Sequence, residues 1–142
     1  LLPTTDKPQV LENKEKLSVP HGNESILFID DEKSIVDTNK KILEKLGYEV
    51  QTAVDPLNAL KIFQKAPQQF DLVITDMAMP NLSGVELSKE ILKIQPGTKI
   101  VLCTGHSDLV DEKEANKIGI SSYIQKPVPM VELAQKIRDL LD

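Results

Sequence analysis

The sequence predicts an α/β fold, a doubly wound parallel sheet with helices on both faces, and three observations predict it. From Ser25 onward, short apolar runs of strand length alternate with segments of helical spacing. The runs at residues 26–29, 72–75 and 100–103 are continuously apolar, as strands covered on both faces are. Polar groups suited to chemistry follow several of these runs, and in such sheets ligands sit beyond the carboxyl ends of the strands.

The first run, 26–29, ends on Asp30-Asp31-Glu32. A helix follows in which Ile35, Ile42, Leu43 and Leu46 share one face, with Gly47 as its stop signal. Residues 48–53 form the second strand. Asp55-Pro56 is an N-cap with proline in the first turn, leading Leu57, Leu60 and Phe63 inward. The third strand, 72–75, runs into Asp76. Ser83 and Glu86 have capping-box spacing and open a helix carrying Leu87, Ile91 and Ile94. The fourth strand, 100–103, leads to Thr104. Segment 108–117 is the least apolar, so its helix should be the most loosely held. The fifth strand, 121–124, leads to Lys126, and the last helix places Leu133, Ala134, Ile137, Leu140 and Leu141 on one side. Five strands alternating with five helices require right-handed crossovers.

A chain of 142 residues fits one domain, and 40% hydrophobic with 27% charged residues is ordinary for a globular protein. A net charge of −5 argues against direct binding of nucleic acid or an anionic membrane. The single cysteine, Cys103, excludes an internal disulfide and suits a reducing compartment. No apolar run approaches the roughly 20 residues that span a bilayer. The expectation is a cytoplasmic domain, or the cytoplasmic part of something larger. Residues 1–24 hold three of the nine prolines and no sustained period, and read as a linker or extended tail, leaving 25–142 as the folded domain.

The strand ends collect Asp30, Asp31, Asp76, Thr104 and Lys126 on one rim. Taken singly, each has an ordinary explanation as a turn former, N-cap or solvated loop residue. Together they describe a narrower chemistry. Carboxylates with a few waters suit a hard cation such as Mg²⁺, which would also relieve their mutual repulsion. The hydroxyl and the ammonium are partners for phosphate oxygens. The set fits phosphoryl transfer to a carboxylate, with Asp76 on the central strand as acceptor.

These residues resemble the receiver domains of two-component response regulators. The resemblance rests on Ile-Leu-Phe-Ile-Asp30-Asp31-Glu32, Asp71-Leu-Val-Ile-Thr-Asp76-Met-Ala-Met-Pro80, Gly84-Val-Glu-Leu87, Val101-Leu-Cys-Thr104-Gly105 and Tyr123-Ile-Gln-Lys126-Pro127, in order and at family spacing. It implies a flavodoxin-like (βα)5 fold with strand order 2-1-3-4-5. It implies that Asp76 takes a phosphoryl group from the phosphohistidine of a histidine kinase or phosphotransfer domain. Asp30, Asp31, Asp76 and the backbone carbonyl of Ala78 would hold Mg²⁺, with Mn²⁺ as a substitute. Thr104 and Lys126 would contact the phosphoryl oxygens, Lys126-Pro127 would be cis, and Tyr123 would switch with Thr104. By the same resemblance, Ala78 and His106 would occupy positions that govern phosphate lifetime. A homodimer through the later helices is a further partner compatible with the resemblance. The isolated domain would assist its own phosphorylation and dephosphorylation without being an enzyme in its own right.

Leu1-Leu2-Pro3 followed by a polar linker resembles the junction in hybrid sensor histidine kinases, which implies that the domain is the receiver of such a kinase. A free-standing single-domain response regulator is the alternative. A metal-dependent aspartyl-phosphate phosphatase would carry Asp-x-Asp at the nucleophile, where this chain has Ala78 two residues after Asp76. A flavin-binding protein would need a Ser/Thr/Gly-rich loop where the acids stand. A pseudo-receiver used only for protein contacts would usually lack one of the five site residues.

Overall fold

The computed structural model describes residues 20–105 and 117–142. Its elements are β1 (Ser25–Ile29), α1 (Lys33–Lys45), β2 (Glu49–Ala53), α2 (Pro56–Lys65), β3 (Leu72–Asp76), α3 (Gly84–Ile94), β4 (Lys99–Thr104), β5 (Ser122–Gln125) and α4 (Met130–Leu141). The strands form one sheet in the order β2-β1-β3-β4-β5, with every pair parallel. Doubly winding and strand order are those expected. Residues 106–116, which include His106 and most of the helix expected over 108–117, lie outside the described residues.

Side-chain alternation along the strands divides the core into two layers. Ile26, Phe28, Leu72, Ile74 and Val101 pack with Val36 and Leu43 of α1 and Leu133, Ala134 and Ile137 of α4. Leu27, Ile29, Val73 and Ile100 pack on the other face with Ala59 and Phe63 of α2 and Leu87 and Ile91 of α3. The central strand β3 is buried at every residue, which gives the sheet its most rigid position. Among the described residues no helix is long and apolar enough to cross a membrane.

The helix boundaries follow the local chemistry. Asp55 caps α2 by accepting from the Leu57 N–H at 2.8 Å, with Pro56 in the first turn. Ser83 and Glu86 close a full capping box on α3, both bonds at 3.1 Å. One expectation is corrected: Leu57 does not point inward but is 45% exposed. With the helix started at Pro56, the buried stripe is Pro56, Ala59 and Phe63. Leu57 precedes Phe63 by six residues, which puts it about a third of a turn away from that stripe. In α1, Val36 is the buried partner of Leu43, while Ile35 is only partly buried.

Candidate functional site

The apolar run of β1 is fully covered, and this decides where the following acid lands. Asp30 is 1% exposed. Its carboxylate accepts from the Glu32 N–H at 2.9 Å and from Lys126 Nζ at 2.8 Å. Asp31, one residue on, turns outward and is exposed, as is Glu32 at the start of α1. Asp76 is the last residue of β3, in register with Cys103 of β4, and is buried at 6% exposure. Lys126 Nζ also lies 3.0 Å from Asp76 Oδ1, so one ammonium bridges the ends of two adjacent strands. Asp30, Asp31 and Asp76 bring carboxylate oxygens within 4.8 Å of one another.

The supporting backbone is specific. The Thr104 carbonyl accepts from the Lys126 N–H at 2.7 Å, which fixes the point where the chain leaves β5. The Lys126–Pro127 peptide is cis. Thr104 is half-buried at the end of β4. Tyr123 is half-buried on β5 and packs with Met77, Val85 and Ile118 against Leu102 and Ile120. Ala78 is exposed in the turn after Asp76.

Two positions with structural influence on the site were not singled out by residue chemistry. The buried Thr75 hydroxyl donates to the Asp76 backbone carbonyl at 3.1 Å. Gly84, named above only within the Gly84-Val-Glu-Leu87 motif, donates its N–H to the Met77 carbonyl at 2.7 Å and ties the turn containing Ala78 down onto the sheet. A glycine at the first position of a well-capped helix, where better helix formers fit, was the available signal.

Burial raises the Asp76 carboxyl above the usual aspartate value; the bond from Lys126 opposes this, and the Asp30 and Asp31 charges reinforce it. Burial pulls Lys126 down, but its bonds to Asp30 and Asp76 outweigh burial and leave the ammonium more firmly protonated than usual. Cys103 lies behind Asp76, and burial pushes its thiol up to about 12, which makes it inert packing. Three carboxylates against one ammonium leave two negative charges in excess. An all-oxygen donor set with that excess fits a hard divalent cation such as Mg²⁺.

Residues 26–138 match the response regulator receiver domain family. The chain is similar to the transcriptional regulatory protein GlrR of Escherichia coli, at 32% identity over 86% of this chain and 27% of GlrR. It is also similar to the sensor kinase CckA of Brucella abortus, at 24% identity over 96% of this chain and 15% of CckA. Both relatives are much longer than the part this chain spans. Among solved structures, a response regulator receiver domain protein from Clostridium thermocellum superposes with a TM-score of 0.80 at 41% identity, covering 83% of this chain and 94% of that one. The buried acid pair, the bridging lysine, the five-stranded order and these likenesses converge: the chain belongs to the response regulator receiver domain family.

Proposed function

We propose that Asp76 is the phosphoacceptor and that its donor is the phosphohistidine of a histidine kinase or phosphotransfer domain. The observation that carries this reading is the Lys126 ammonium, 3.0 Å from Asp76 Oδ1 at the end of the buried central strand. A carboxylate oxygen of Asp76 attacks phosphorus, the P–N bond breaks, and its electron pair leaves with the imidazole. Burial raises the Asp76 carboxyl above the usual aspartate value, and the bond from Lys126 opposes that rise. When the acyl phosphate forms, the same ammonium is placed to pair with a phosphoryl oxygen. Thr104 ends the neighbouring strand β4, and in this reading its hydroxyl meets another phosphoryl oxygen.

Asp30, Asp31, Asp76 and the carbonyl of Ala78 would hold Mg²⁺, which when bound neutralises charge on the transferring group. Thr104 and Tyr123 form the switch in this reading, with Tyr123 seated on Met77 and Val85 at the edge of the same turn. Incubation with Mg²⁺ and acetyl phosphate, followed by intact mass spectrometry, tests the assignment. One hydroxylamine-labile phosphoryl group on the wild type and none on Asp76→Asn supports it; equal labelling of both proteins, or none of the wild type, rejects it.

The likeness to the transcriptional regulatory protein GlrR favours a response regulator as the setting of this domain. The likeness to CckA, extending over 96% of the chain, is the observation that favours the kinase placement suggested by Leu1-Leu2-Pro3. Reading the gene upstream of Leu1 separates them: an ATP-binding kinase domain supports the second, its absence the first.

A further inference from the structure

Ahead of β1, residues 21–24 make contacts that no local pattern announces. The Gly22 N–H donates to the Leu46 carbonyl at 3.0 Å, at the turn between α1 and β2. Arg138, near the end of α4, donates Nη1 to the His21 carbonyl at 3.1 Å and pairs through Nη2 with the Glu24 carboxylate. Its guanidinium lies 5.9 Å from the centre of the Tyr48 ring, within cation–π range, and its side chain is only 14% exposed.

The fit is steric as well as polar. A Cβ on Gly22 would stand 2.5 Å from Arg138 Nη1 and would also overlap the Tyr48 ring. Gly47 holds φ at +103°, and a side chain there would strike the Gly22 carbonyl. Two glycines from separate segments are therefore pressed together, as happens where backbones dock.

We propose that residues 21–24 form a clasp, closed by Arg138 against Tyr48, that ties the entry to β1 onto the end of α4, opposite the rim carrying Asp30 and Asp76. From Ser25 the strand climbs five residue steps to Asp30, about 17 Å at 3.3 Å per residue. The helix α4 descends the other way, so the rim and the clasp stand at its opposite ends. The clasp thus holds residues 21–24 at the end of the sheet far from Asp76.

Hydrogen exchange with mass spectrometry on the 142-residue chain tests this. In the wild type, amides of residues 22–24 should exchange well below the open-chain rate. Gly22→Ala, which fills the docking space, and Glu24→Gln, which removes the charge and keeps the shape, should each speed their exchange about tenfold. Amides of β3 should keep their protection in Glu24→Gln. Open-chain exchange of 22–24 in the wild type, or unchanged exchange in Glu24→Gln, would overturn the clasp.

Discussion

Gly84 lies directly beneath the backbone carbonyl of Asp76, and the space between them admits no side chain. A Cβ there would overlap that carbonyl and stand 2.6 Å from Leu102 Cδ1. The first residue of α3 and Asp76 thus share one close contact, sealed by the bond from the Gly84 N–H to Met77. Gly84→Ala should cost about 1–3 kcal/mol, the usual penalty for overpacking. Urea denaturation checks it: the midpoint should fall with an unchanged slope.

Asp76 should limit the stability of the metal-free domain. Its folded value is raised above 3.8, chiefly by burial, so the folded state holds the proton more tightly than the unfolded chain. The stability linked to that proton is present below 3.8 and is lost as pH rises through the raised folded value. Asp76→Asn removes the buried charge while Lys126 keeps Asp30 at 2.8 Å. Thermal melts without metal should show Asp76→Asn more stable than wild type at pH 7, with the gap closing toward pH 4.

Magnesium should reverse that order. A ligand bound only by the folded state adds about 2.7 kcal/mol at one hundred times its dissociation constant. Wild-type melting temperature should climb with Mg²⁺ concentration, while Asp30→Asn and Asp76→Asn should respond weakly. A parallel rise in all three proteins would count against the acid cluster as the binding site.

The clasp has the opposite pH signature to Asp76. The bond from Arg138 lowers the Glu24 carboxyl below 4.5, so its contribution is present above that value and fades as pH falls through the lower folded one. The stability difference between wild type and Glu24→Gln should be full at pH 7 and vanish in acid, as paired denaturation curves will report.

Tyr48 offers a separate test of local packing. Its hydroxyl is buried without a hydrogen-bond partner among the described residues, while its ring faces Arg138. Tyr48→Phe keeps the ring and removes the hydroxyl, so it should leave stability unchanged or raise it by up to about 1 kcal/mol. A loss larger than that in thermal melts would show that the hydroxyl is satisfied.

The polar rim was legible in the sequence because strand ends report themselves. A continuous apolar run must be covered, so the polar residue that stops it marks the sheet's edge, and Asp30, Asp76, Thr104 and Lys126 were located this way. Periodicity served less well for Leu57, since an apolar residue in the first turn of a helix does not reveal the phase set by the cap. It was silent on residues 21–24. Their anchor is Arg138, 114 positions from Glu24, and no window of sequence joins them. Gly84 falls between: its identity was plain, but the carbonyl it makes room for belongs to another element.

The complete burial of β3 has a consequence for how such a domain can diversify. Asp76, the proposed acceptor, is mounted on a strand buried at every residue, and the Thr75 hydroxyl that bonds its carbonyl is buried too. Exposed positions such as Val54, Leu57 and Val131 are free to vary without displacing it. Exposed positions can therefore be changed while the Asp76 carboxylate stays where the core puts it.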